Sequence, residues 1–206
     1  MGTATVGFDL DMTLIDSRRA ILGSFAAVGA EKGVAIDPAG VDRRLGIKLE
    51  DELIHWFGPA DIPAAVASYR RHYAELAGER TLIMPGAREA LAAVRGAGGR
   101  AVVITAKYVV PAKAALDGVG LDPDELYTDA HGPEKAVVLS RLGAGAYVGD
   151  TPPDMAAAVS AGVTAVGVTT GSFDAAALTA AGADVVVSSL LEFPAWHEAW
   201  SGASRT

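Results

Sequence analysis

The sequence predicts an α/β protein: a parallel sheet with helices on both faces and a block of helices inserted after the first strand. Three observations predict it. The apolar run from residue 4 to 8 has the near-continuous hydrophobicity of a strand buried on both faces. From Pro85-Gly86 onward, β-branched runs alternate with helical stretches, the pattern of a parallel sheet joined by helical crossovers. Between these regions, residues 17–82 show no strand pattern.

Each element has its own local reason. Ser17 is placed to cap a helix running to about Lys32, with Gly33 as its stop. Ile21, Leu22, Phe25 and Val28 fall on one face of that helix. Further helices are expected near 38–45, 49–57 and 63–77, broken at Gly46 and at Gly58-Pro59. A helix at 87–95 leads through three glycines into the strand Arg100-Ala-Val-Val-Ile-Thr105. The helix after it tolerates Pro111 in its first turn. Residues 126–128 are a short strand candidate, 133–142 a helix, 144–149 a strand, 152–161 a helix and 163–169 a strand. The segments 174–181, 185–187 and 190–200 complete the alternation, and Phe193, Trp196 and Trp200 form an apolar face expected to dock on the core. The expected division is therefore 1–16 with 83–206 as the α/β core, and 17–82 as the inserted helical unit.

Composition narrows the function classes. Half of the 206 residues are hydrophobic, and the mean hydropathy of +0.29 promises a substantial core. The absence of Cys excludes disulfides, thiolate metal sites and a Cys nucleophile. A net charge of −8 disfavours nucleic acid and anionic lipid as partners. No apolar run approaches the ~18 residues of a membrane span. The first strand begins within a few residues of the start, which is read as leaving no room for a signal peptide, so a cytoplasmic monomer or homodimer is expected. Residues 17–82 hold nine Lys/Arg against nine Asp/Glu, and the remainder eight against sixteen. A neutral insertion beside an acidic core suits a lid that meets an anionic substrate.

The chemistry-bearing residues gather at predicted strand ends. Asp9 and Asp11 follow the first strand two residues apart, a spacing that in extended chain points both the same way, with Thr13 just beyond. Carboxylates so close repel unless a cation lies between them, and a hard divalent ion such as Mg²⁺ is the natural one. Thr105 closes the next predicted strand, where its hydroxyl and the neighbouring N–H groups, that of Ala106 among them, can bind a phosphate oxygen. Lys135 starts a helix; Lys107, in a loop past Thr105, is its rival. Asp150 ends a strand, and Asp154 falls in the following first helical turn. Gly143, Gly145 and Gly149 only echo a dinucleotide fingerprint, since they precede and span a strand. His55, His72, His131 and His197 lack metal-ligand spacing and are read as structural or surface residues, though His55 and His72 in the insertion could contact substrate.

With these residues in place, the chain resembles the haloacid dehalogenase (HAD) superfamily, in particular its phosphoglycolate phosphatase-like branch with a helical cap. Phe8-Asp9-Leu10-Asp11-Met12-Thr13 resembles the family's first motif, Val102-Val103-Ile104-Thr105 the second, Lys135 the third, and Val148-Gly149-Asp150-Thr151-Pro152-Pro153-Asp154 the fourth. The resemblance implies a Rossmann-like core and a small phosphorylated metabolite as substrate. It implies that Asp9 is the nucleophile that takes the phosphoryl group, and that Asp11 is the acid and base. Thr105, Ala106, Thr13 and Lys135 would face the phosphate. Mg²⁺ would be held by the Asp9 carboxylate, the Asp11 carbonyl and Asp150, with Asp154 as ligand or support. Family dehalogenases lack the acid at the Asp11 position, so dehalogenation is disfavoured. Arg18, Arg44 and Lys48 are the insertion's candidates for the substrate's remote end. Met12 departs from the family's usual Gly. A phosphomutase and a non-catalytic binding protein on the same scaffold are the alternatives.

Overall fold

A computed structural model describes residues 4–203. In chain order it runs β1 (Thr5–Phe8), β2 (Ile15–Asp16), α1 (Arg18–Lys32), α2 (Pro38–Arg43), α3 (Leu49–Leu53), α4 (Ile62–Arg80), β3 (Leu82–Ile83), α5 (Ala87–Gly96), β4 (Arg100–Ile104) and α6 (Val109–Val119). It continues with β5 (Glu125–Tyr127), α7 (Gly132–Leu142), β6 (Ala144–Gly149), α8 (Pro152–Ala161), β7 (Thr164–Val168), α9 (Ala175–Ala180), β8 (Val185–Val187) and, after one 3₁₀ turn, α10 (Phe193–Ala203).

Six strands form one sheet in the order β5-β4-β1-β6-β7-β8, and every pairing is parallel. Alternate residues of each strand serve opposite faces. Ala101 and Val103 of β4 join the core beneath α5 and α10, while Val102 and Ile104 join the core beneath α7, α8 and α9. The C-terminal aromatics dock as expected. Phe193 meets Phe8 at 5.2 Å between ring centroids, and Trp196 and Trp200 pack against the same cluster. The strand order reverses direction at β1, between β4 and β6. Open sheets of this kind bind ligands at that switch point, outside the strands' C-terminal ends.

Helices α1 to α4 form the insertion, with an apolar cluster of their own that includes Phe25, Val28, Val41, Leu53 and Val66. Its base is a feature that sequence reading missed. The short strands β2 and β3 pair antiparallel, and Met84 N–H donates to Leu14 C=O beyond them. Two residues per strand leave no readable alternation, so only tertiary pairing makes this ribbon. A second difference concerns Ser17. It stands at the N-cap position of α1, but makes no capping bond, because its hydroxyl donates to Asp11 instead. The helices near 38–45 and 49–57 are shorter than expected, ending at Arg43 and Leu53, whereas α4 extends to Arg80.

Candidate active site

Three carboxylates meet outside the β1 and β6 strand ends. Asp9 follows β1, Asp150 follows β6, and Asp154 lies in the first turn of α8. One oxygen from each falls within 4.8 Å of the others, and all three residues are buried. Two glycines make this approach possible. A Cβ at Gly149 would lie 2.5 Å from Asp154 Cγ, and one at Gly171 would lie 1.9 Å from Asp150 Oδ2. Only residues without a side chain let these backbones close on the acids.

Lys135, from the first turn of α7, enters the cluster and donates to Asp9 Oδ1 at 2.7 Å and to Asp154 Oδ1 at 2.6 Å. Thr151 closes a capping box on Asp154, its hydroxyl donating to Oδ2 at 2.6 Å, and Tyr147 O–H reaches Oδ1 at 3.3 Å. Asp154 is thus fully engaged in holding its neighbours. Thr13 donates to Asp150 Oδ1 at 3.1 Å.

One lysine does not balance three buried acids. Burial pushes the Asp9 carboxyl up to about 7; the nearby Lys135 opposes that rise, and Asp154 and Asp11 add to it. Asp150 is likewise pushed well above the usual carboxylate range, by burial and then by Asp9 and Asp154. A cluster of hard oxygens that holds surplus negative charge fits a small divalent cation. Each of the three acids offers one oxygen to such an ion; Lys135 ties Asp9 to Asp154, and Thr13 holds Asp150.

Asp11 does not converge on that cluster, contrary to the expectation from its spacing. Strand β1 ends at Phe8, and the chain turns sharply, Leu10 C=O accepting from both Leu14 and Ile15 N–H. The two-residue alternation of a strand therefore does not apply. Asp11 instead pairs with Lys107 Nζ at 2.8 Å and accepts from Ser17. Met12 sits in the turn at φ +60, a left-handed conformation that favours glycine, and Thr170 donates to its carbonyl. The departure from Gly at this position thus stores backbone strain. The buried Met12 side chain offsets it by joining the core.

Between the core and the insertion lies a cavity of about 170 Å³. Asp9, Asp11, Thr105, Ala106, Lys135, Asp150 and Asp154 all line it. Thr105 Oγ1 accepts from Lys107 N–H at 3.1 Å. Lys107, ranked behind Lys135 from sequence, lines the same cavity, with Nζ 4.2 Å from the Tyr73 ring. Burial alone would pull its pKa down, but Asp11 together with Tyr73 and Tyr69 raises it above the ordinary lysine range. His131, read as structural, also lines the wall. His55 and His72 do not reach the cavity wall, and His72 lies 3.1 Å from Glu31.

Three expected substrate contacts lie off the cavity wall, and a fourth is on it but paired. Thr13 is wholly buried and spent on Asp150, so it does not face the cavity. Arg18 is off the wall in an ion pair with Asp42 at 3.0 Å. Lys48 is also off the wall, because it N-caps α3 and stays on the exposed side. Arg44 does reach the cavity, but Glu52 takes its Nε and Nη2, both at 2.7 Å. Arg70, which sequence reading passed over, lines the cavity, its guanidinium 3.7 Å from the centre of the Tyr108 ring. An arginine in mid-helix carries no local mark of such a role.

The profile of the haloacid dehalogenase-like hydrolases matches residues 6–159, a span that holds the whole cluster. The chain belongs to this family. It is 32% identical to a probable phosphatase, IndB, of Dickeya dadantii over an alignment covering 90% of this chain and 89% of the relative. It is 34% identical to a phosphoglycolate phosphatase of Rhodospirillum rubrum, covering 77% and 76%. Among solved structures, a haloacid dehalogenase-like hydrolase of Streptococcus pneumoniae superposes with a TM-score of 0.84 at 23% identity, over 96% of this chain and all of the other. That similarity carries the fold. The family, and relatives that bear phosphatase names, make this protein a hydrolase of the HAD type.

Proposed function

We propose that this hydrolase is a Mg²⁺-dependent phosphatase of small phosphomonoesters, acting through an aspartyl-phosphate on Asp9. The observation that carries the reading is the convergence of Asp9, Asp150, Asp154 and Lys135 at the sheet's switch point, on the floor of one cavity. Lys135 holds Asp9 by Oδ1, and the other carboxylate oxygen attacks phosphorus as the bond to the leaving oxygen breaks. Asp11, steadied by Ser17 and Lys107, gives its proton to the leaving oxygen. It then takes a proton from the water that hydrolyses the aspartyl-phosphate. Thr105, the Ala106 N–H and Lys135 hold the non-bridging oxygens and offset their charge. Bound at Asp9, Asp150 and the Asp11 carbonyl, Mg²⁺ would neutralise charge on the phosphoryl group. Residues 17–82 act as a cap that shuts the cavity from water. Contacts such as Ser172 O–H to Asp42 C=O, at 3.1 Å, hold it against the core.

The test is a panel of sugar phosphates, nucleotides, phosphoglycolate, pyrophosphate and acyl phosphates, assayed for phosphate release with Mg²⁺ and with EDTA. Phosphate release that requires Mg²⁺, with no bisphosphorylated species, is expected. A bisphosphorylated intermediate would make the enzyme a mutase, and silence across the panel would leave a binding protein.

A further inference from the structure

Charge pairing on the insertion's side of the cavity bears on the substrate class, an inference that rests on the phosphatase reading. The insertion brings two cations to the cavity, Arg44 and Arg70, and each already faces an acid of the insertion. Arg44 is held in a two-point bond by Glu52, and Trp56 Nε1 donates to the same carboxylate at 3.0 Å. The Glu52 side chain is only 4% exposed, so drawing Arg44 away would strand a buried carboxylate. Arg70 lies against Tyr108 with Nη2 3.6 Å from Glu50. On the core side, Lys107 answers Asp11, and Lys135 answers Asp9 and Asp154.

Beside these arginines the wall is mostly apolar: Ile21, Phe25, Val41, Leu45, Leu49 and the Tyr69 ring. Phe25 and Tyr69 pack ring to ring at 4.8 Å. A second anionic group on the substrate would be desolvated against this wall, with Arg44 already held by the buried Glu52 and Arg70 drawn loosely toward Glu50, which is costly. An uncharged apolar group would bury surface against matching surface.

We propose that the group released with the bridging oxygen is uncharged and apolar. The Arg44–Glu52 and Arg70–Glu50 pairs select against substrates whose remote end carries a second negative charge. The reaction is otherwise as described above: water and the ester give an alcohol or phenol and inorganic phosphate.

The experiment compares benzyl phosphate with phosphoglycolate by phosphate release on the Mg²⁺-loaded enzyme. It also compares benzylphosphonate with phosphonoacetate by calorimetric binding, which reads the pocket whether or not turnover occurs. At least a tenfold preference for the benzyl compound is expected in both. Glu50→Gln, at a half-exposed position, should narrow both ratios at least threefold by releasing Arg70. Equal or reversed preference in binding, or failure of both phosphonates to bind, overturns the inference. A Glu50→Gln variant with unchanged ratios overturns the role of the pairs. A tenfold binding preference without phosphate release from either ester supports the pocket's selectivity and overturns the phosphatase reading alone.

Discussion

The core wall and the insertion wall of one cavity both carry charges of each sign, but they arrange them differently. On the core wall, Asp9, Asp150 and Asp154 share a single lysine, so charge is left unbalanced and buried. On the insertion wall Arg44 is bound to Glu52 and Arg70 lies near Glu50, and mostly apolar side chains line the rest. Unbalanced buried charge stores affinity for a cation and an electrophilic phosphoryl group. Balanced charge stores none, and leaves shape and apolar area to choose what is bound. On the proposed reading, the strand ends would supply reactivity and the helices selectivity.

The sharpest way to break this comparison is on the core wall. Asp9→Asn should lower kcat by at least about 10⁴-fold, the scale of losing a group that acts as part of a catalytic unit. Retained single-turnover phosphate release would remove Asp9 from the nucleophile's role. Asp11→Asn should cost roughly 10²–10⁴-fold in kcat, the usual worth of a positioned acid and base. The loss should be larger for poor leaving groups, and a uniform loss across a leaving-group series would deny Asp11 the acid's role.

Lys135→Ala should cost about 10²–10³-fold in kcat, as for a lost oxyanion donor. It also strands two buried carboxylates, a change worth about 3–5 kcal/mol when a buried pair loses one partner. Urea unfolding in EDTA should show that loss and Mg²⁺ should recover part of it. If kcat changed less than threefold, the phosphate-binding role would pass to Lys107.

The smallest effect is a pH slope. With the Asp9 carboxyl at about 7 in the fold and near 3.8 when unfolded, the native state holds the extra proton between those values. Stability of the metal-free protein should therefore fall as pH rises from about 4 to 7. Asp150, also raised, works in the same direction. Added Mg²⁺ should reverse the slope, because it binds the deprotonated acids. Asp9→Asn should flatten the metal-free slope; thermal melts at matched ionic strength would read it, and an unchanged slope would place the titration elsewhere.

Most of the sheet was legible because buried parallel strands are runs of β-branched and apolar residues, as in Val102-Val103-Ile104 and Val185–Val187. The site was legible where acids interrupt such runs at their ends, as at Asp9 and Asp150. Asp11 lines the cavity with Asp9 but stays outside the acid cluster, because the alternation of a strand does not continue past its end into a turn. Arg70 was missed because helix α4 reaches the cavity only where the insertion meets the core, and His131 because a lone histidine before a helix carries no mark of a site. Arg18 and Lys48 lie off the cavity and Arg44 on its wall is held by Glu52, none of which was legible, because a free cation and a paired one look the same in sequence.

What the sequence determined alone was the alternation of elements, the place of the insertion and the set of acids at strand ends, since these follow from local periodicity and residue type. What only the tertiary structure decided was pairing. Lys135 bridges Asp9 and Asp154 from 126 and 19 residues away, while Lys107 goes to Asp11 and Glu52 takes Arg44. Charge compensation in a buried site depends on which groups end up within a few ångströms of each other, and that distance is set by the fold of the whole chain.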